Sequence, residues 1–217
     1  MRNNIIIGLF YIIGLSFLAL GISVMILADL GAGAWDAMYV GLSDHTGLSV
    51  GTWILLIGIF LILLNSVILK KMPEFLSVIT ILIIGSLIDF WLIVVFASFS
   101  PDDFALRVLM FIGAILIIAL GISSYLQSNF ARNPMDTLMM AIQYRTGRSL
   151  AFSKTVMEVT VLIIALLLGG PIGVGTFIVT FSIGPLIQLF IGPITRFRTY
   201  LCTSKVEVNK KTEASNH

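Results

Sequence analysis

Apolar residues run almost unbroken through six stretches of this chain, near 5–28, 50–69, 75–97, 105–127, 151–168 and 175–195. At about 1.5 Å per residue, a helix over each is long enough to cross the roughly 30 Å hydrocarbon core of a bilayer. Polar residues gather between the stretches, in two wider intervals at 29–49 and 129–149. The pattern predicts an all-α fold, a polytopic membrane bundle of six transmembrane helices. The first stretch is longer than the apolar region of a cleaved leader, about 7–15 residues, and its counterpart at Phe104–Gln127 lies deep in the chain. It is expected to remain as a helix.

The pattern also repeats. Ala19-Leu20-Gly21-Ile22-Ser23 returns as Ala119-Leu120-Gly121-Ile122-Ser123, Asp36 as Asp136, Thr46-Gly47 as Thr146-Gly147 and Ser49 as Ser149. After a one-residue slip, Ile84-Gly85-Ser86-Leu87-Ile88-Asp89 aligns with Ile183-Gly184-Pro185-Leu186-Ile187-Gln188, which sets Asp89 opposite Gln188. Two three-helix repeats follow, residues 1–98 and 99–197, with a cytoplasmic tail at 198–217 expected to be disordered. With the N-terminus inside, Arg107 is the single outer cation among the 13 Lys and Arg, which puts both termini in the cytoplasm. The interval 29–49 carries no Lys or Arg, whereas 129–149 carries Arg132, Arg145 and Arg148. Three spans per repeat is an odd number, so the halves are expected to insert with inverted topology.

The two intervals carry helix signals of their own. Asn133-Pro134-Met135-Asp136 supplies a capping Asn, a Pro at the first helical position and an acid in the first turn. Gly147 suits the residue after the helix end, and the first copy runs from Gly33 to Gly47. Short helices near 34–46 and 134–146 follow, each too short to span. Trp35, Met38, Tyr39 and Leu42 form one apolar face, and Met135, Leu138, Met139 and Ile142 repeat it. Two readings are open: amphipathic helices lying along the two membrane surfaces, or helices dipping towards the middle with their N-termini offered to a solute. A surface helix buries no polar backbone, so that is the expected arrangement.

Gly31-Ala32-Gly33-Ala34-Trp35-Asp36 followed by Thr46-Gly47-Leu48-Ser49-Val50-Gly51-Thr52-Trp53 resembles the YczE/YyaS/YitT family of bacterial integral membrane proteins, its short YczE-type members most of all. The resemblance covers nearly the whole chain. It implies a multi-pass protein of the bacterial cell membrane and supplies no catalytic residue.

Composition narrows the chemistry. Hydrophobic residues make up 58% of the chain and charged residues 11%, so the natural partner is the lipid bilayer and not nucleic acid. Asp89 falls inside the third span, where a carboxylate costs about 2.5–3.5 kcal/mol on insertion scales. It is expected to be paired, protonated or facing water, either on a solute or proton pathway or in a packing hydrogen bond. Glu158 stands four residues after Lys154 in the fifth stretch, a spacing that suits a structural pair; the other reading puts it on a solute or proton pathway. Asp36 and Asp136 are explained by helix capping, though their repetition also suits a pathway that includes Gln188. Pro185 is expected to kink or break the last span. Two separated histidines and one cysteine, Cys202, offer no metal site. Gly170-Pro171-Ile172-Gly173-Val174-Gly175 lies in a tight connection and does not read as a nucleotide loop, so no cofactor and no enzymatic activity are expected. The leading expectation is a secondary transporter of a small solute, with protons as the simplest coupling ion. The alternative is a non-transporting accessory protein that assists a biosynthetic or export complex through a membrane protein partner.

Overall fold

The computed structural model describes the backbone of residues 2–128, 130 and 133–214, and the side chains of 5–128, 130, 133–149 and 152–202. The described residues form α1 (Arg2–Ala28), α2 (Ala34–Thr46), α3 (Val50–Leu69), α4 (Leu76–Asp89), α5 (Phe104–Tyr125), α6 (Pro134–Thr146), α7 (Leu150–Leu167) and α8 (Val174–Ala214). A π-helical stretch, Phe90–Val95, prolongs α4. Five of these are long and apolar enough to cross a membrane: Ile5–Ala28, Val50–Leu69, Leu76–Val95, Phe104–Ser128 and Val174–Cys202. The stretch expected as the remaining span forms α7 but is not one of the five. Phe60, Leu63, Leu82, Leu109, Ile163 and Phe181 are all exposed on the outside of the bundle. So much outward apolar surface suits lipid, not water.

Local chemistry accounts for the helix ends. The Ser49 hydroxyl accepts the Thr52 amide at 3.1 Å and the Ser149 hydroxyl accepts the Phe152 amide at 3.2 Å, so α3 and α7 start with the same cap. Gly47 (φ 72°) and Gly147 (φ 66°) close α2 and α6 in the left-handed conformation that glycine adopts without strain. Arginines cap three carbonyl ends: Arg107 Nε donates to Ala28 O at 2.8 Å, Arg145 Nε to Ile68 O at 2.9 Å, and Arg198 to Gln127 O. Arg107 is also ion-paired to Asp29 at 2.8 Å.

Packing is closest where side chains are smallest. A Cβ placed on Gly121 would sit 2.8 Å from Gly14 O, and one on Gly21 would sit 3.1 Å from Ala114 O. An early residue of α1 thus meets a late residue of α5, and the reverse, so the two helices cross antiparallel with their backbones touching. At the α3–α4 seam a Cβ on Gly85 would lie 2.6 Å from Gly51 O. There Asp89 accepts the Ser49 hydroxyl at 2.5 Å and the Gly51 amide at 2.8 Å. The carboxylate inside the third span is therefore answered by the free amide end of α3. Among the described residues α7 and α8 do not pack on each other in the same way, and nothing lies within 4 Å of a Cβ built on Gly184, the counterpart of Gly85.

Pro185 and Pro193 both lie inside α8, which continues past each, so of the two outcomes expected at Pro185 a break does not occur. α8 runs as far as Ala214, and residues 215–217 lie outside the described residues. Arg132, one of the cations assigned to the inner side, also lies outside them.

Candidate functional site

The first turns of α2 and α6 meet across a single cavity of about 410 Å³ at the centre of the bundle. Gly33, Ala34, Trp35 and Asp36 enter it from one side and Asn133, Pro134, Met135 and Asp136 from the other. Mid-helix residues of the spans close the walls, among them Ile22 of α1, Gly58 of α3, Ile84 of α4 and Ile118 of α5. The short helices therefore do not lie along two opposite surfaces, as a surface reading has it. Ala34, Ala37, Met38, Tyr39 and Gly41 of α2 are buried, as are Pro134, Thr137, Leu138 and Ala141 of α6. Neighbouring helices thus enclose the polar backbone that argued against a dipping arrangement.

The cap of α6 holds as the sequence reading has it, whereas the capping role read for Asp36 does not appear, since that side chain makes no hydrogen bond among the described residues. Asn133 Oδ1 accepts the Met135 amide at 3.1 Å, with Pro134 at the first helical position. Gly33 starts α2 without a side-chain cap, and Asp36 folds back so that a Cβ on Gly33 would meet its Oδ2 at 3.0 Å. Asn65, in the last turns of α3, is buried and donates to Pro134 O at 2.8 Å, which ties the start of α6 to a span.

Of the residues singled out from the sequence, Asp36, Asp136, Glu158, Gly33, Asn133 and Pro134 line this cavity together. Asp89 and Gln188 do not. Asp89 is engaged with the start of α3, and Gln188 is exposed. Lys154, expected to pair with Glu158, lines the cavity too but closes no ion pair with it, and its side chain is exposed. The Asp36 and Glu158 carboxylates have no hydrogen-bond or ion-pair partner among the described residues. Three aromatic residues complete the polar lining: Trp35, Tyr39 and Tyr125. Tyr39 is 1% exposed, yet its hydroxyl has no partner, and Trp35 Nε1 is likewise unpartnered. Buried polar atoms are nearly always hydrogen-bonded in folded proteins, so both stand out, as do Asn65 Oδ1, Ser77 Oγ, Trp91 Nε1 and Thr137 Oγ1 away from this cavity. The sequence reading placed Trp35 and Tyr39 on an apolar face and gave them no polar role. The signal was that both carry a polar atom at its rim.

This fold and site define a multi-span α-helical membrane protein with a cavity between its helices, mostly apolar and carrying a few acidic groups. The chain belongs to the family of unknown function DUF6198, whose profile matches residues 6–192. It is 36% identical to the uncharacterized protein YyaS of Bacillus subtilis, over 87% of this chain and 94% of the relative. It is 31% identical to the uncharacterized membrane protein YczE of the same organism, over 82% of each. An uncharacterized protein of Haemophilus influenzae is 28% identical over 84% of this chain and 82% of its own length. No solved structure matches the chain significantly.

Proposed function

We propose that the protein is a secondary carrier of a small solute, bound in the cavity between α2 and α6. One observation carries this reading: the starts of two short, equivalent helices from the two halves of the chain share one cavity at mid-span depth. Carriers built from inverted repeats make their sites this way, with helix N-termini and unwound backbone around a central pocket. The antiparallel crossing of α1 on α5 supports inversion, because these helices are the equivalent first spans of the two repeats. On this reading α7 is the sixth span, crossing with Lys154 and Glu158 turned to the cavity and away from lipid. The cation bias supports a cytoplasmic position for both termini.

A carrier must open to one side while sealed to the other. The α3–α4 seam, held by Gly51, Gly85 and Asp89, is the sealed side, and the loose α7–α8 seam is the open one. In the opposite state α8 closes on α7, with Gln188 taking the part that Asp89 plays now. Ala151 stands where the first half has Gly51, so the second seam closes less tightly than the first. Asp36 and Glu158, the unpaired carboxylates, are the groups able to exchange protons with a bound solute.

The deciding experiment reconstitutes the purified chain in proteoliposomes and follows collapse of an imposed pH gradient as small solutes are added. At least one solute is expected to dissipate the gradient, with Asp36→Asn and Glu158→Gln each cutting the rate tenfold or more. If a folded protein moves none of a broad solute set, the accessory reading replaces this one.

A further inference from the structure

We infer that the cavity binds an organic cation, a positively charged head on an apolar body; this rests on the proposed reading for its transport but not for its binding. Among the described residues the cavity lining carries Asp36, Asp136 and Glu158 against the single cation Lys154, a formal excess of two negative charges. The two helix starts contribute partial positive charge, but Asp36 and Asp136 sit in those first turns and answer it. Lys154 is exposed at the rim, while Asp36 and Glu158 stand unpaired. An anion entering here meets three carboxylates. A neutral molecule leaves two of them without a counter-charge in a mostly apolar enclosure, which is costly.

The rest of the wall fits the same ligand. Trp35, Tyr39 and Tyr125 offer aromatic faces, which attract cations through the ring quadrupole. Tyr39 carries a hydroxyl with no partner among the described residues, packed too closely for water to reach it, so an ammonium N–H meets it once the ring shifts towards the cavity. Isoleucines 22, 54, 81, 84, 118 and 122 supply the apolar remainder, where a hydrocarbon body sits.

The test uses three probes on one skeleton: 3-phenylpropylammonium, 3-phenylpropanol and 3-phenylpropionate. Binding to the full-length chain in detergent is read by calorimetry, with circular dichroism as the folding check. The ammonium probe is expected to bind at least tenfold more tightly than the propionate, with the alcohol between them. Asp36→Asn and Glu158→Gln should each weaken the ammonium probe tenfold or more, and Lys154→Gln should not weaken it. Equal or tighter binding of the propionate overturns the assignment, as does failure of all three probes at millimolar concentration. Should the variants not fold, the three-probe ranking on the unaltered chain decides alone. Proteoliposome flux separates this inference from the carrier reading. Cation binding without flux leaves the charge assignment standing and removes the carrier; anion flux does the reverse.

Discussion

Asn65 joins two elements through one side chain, its amide reaching the carbonyl of Pro134 from 69 positions away. Replacing it with Ala removes the tie and opens a small void, while Pro134 O keeps its partner within α6. We expect Asn65→Ala to destabilise the protein by about 0.5–1.5 kcal/mol, read as a lower thermal midpoint in detergent. From the sequence, Asn65 is a polar residue near a span end, and interface hydrogen bonding is sufficient explanation. Its burial depends on α6 arriving against it, which no local pattern records. Glu158 shows the same limit from the other side. Its four-residue spacing from Lys154 suggests a pair along one helix, yet both side chains turn to the cavity without closing it.

At the scale of elements, the short helices were legible to the residue because their signals are local: Asn133 as cap, Pro134 next, and Gly47 and Gly147 at the ends. Their depth was not. An apolar face with a 3.6-residue period looks the same on a membrane surface and inside a bundle, and only the packing around α2 and α6 distinguishes the two. The α3–α4 seam rests on a different balance. Asp89 accepts a hydroxyl and a backbone amide from the start of α3, bonds that involve a charged acceptor and are worth about 1.5–3 kcal/mol each before solvent exposure reduces them. Asp89→Ala should therefore lower the unfolding midpoint while leaving probe binding in the cavity within about twofold of the unaltered chain, since Asp89 does not line it. A selective loss of binding with an unchanged midpoint would return Asp89 to a solute pathway.

At the scale of the whole molecule, the two halves share a packing plan. α2 packs on α7 as α6 packs on α3, and α1 lies against α4 as α5 lies against α8. The pattern departs most at α3–α4 against α7–α8. Inversion predicts that equivalent positions face opposite compartments. Asp44 and Tyr144 are both exposed, so Asp44→Cys and Tyr144→Cys in a Cys202→Ser background should react with an impermeant maleimide from opposite sides of intact cells or vesicles. Labelling of both from one side would show the halves to be parallel. The hundred-residue period is what makes inversion an expectation; the unequal seams left no mark in the sequence, because a linear pattern does not say which helices touch.

The empty surroundings of Gly184 give the asymmetry a practical edge. One methyl group added there meets nothing now, but it would jam the approach of α8 to α7, where the matching pair in the first half already touches main chain to main chain. Gly184→Ala should thus act as a doorstop: a well-behaved protein arrested with one mouth ajar, its methyl group also taking a little of the cavity that Gly184 lines. Such a frozen variant would give a homogeneous sample for imaging, and its silence in a flux assay would be a mechanical failure, not a chemical one.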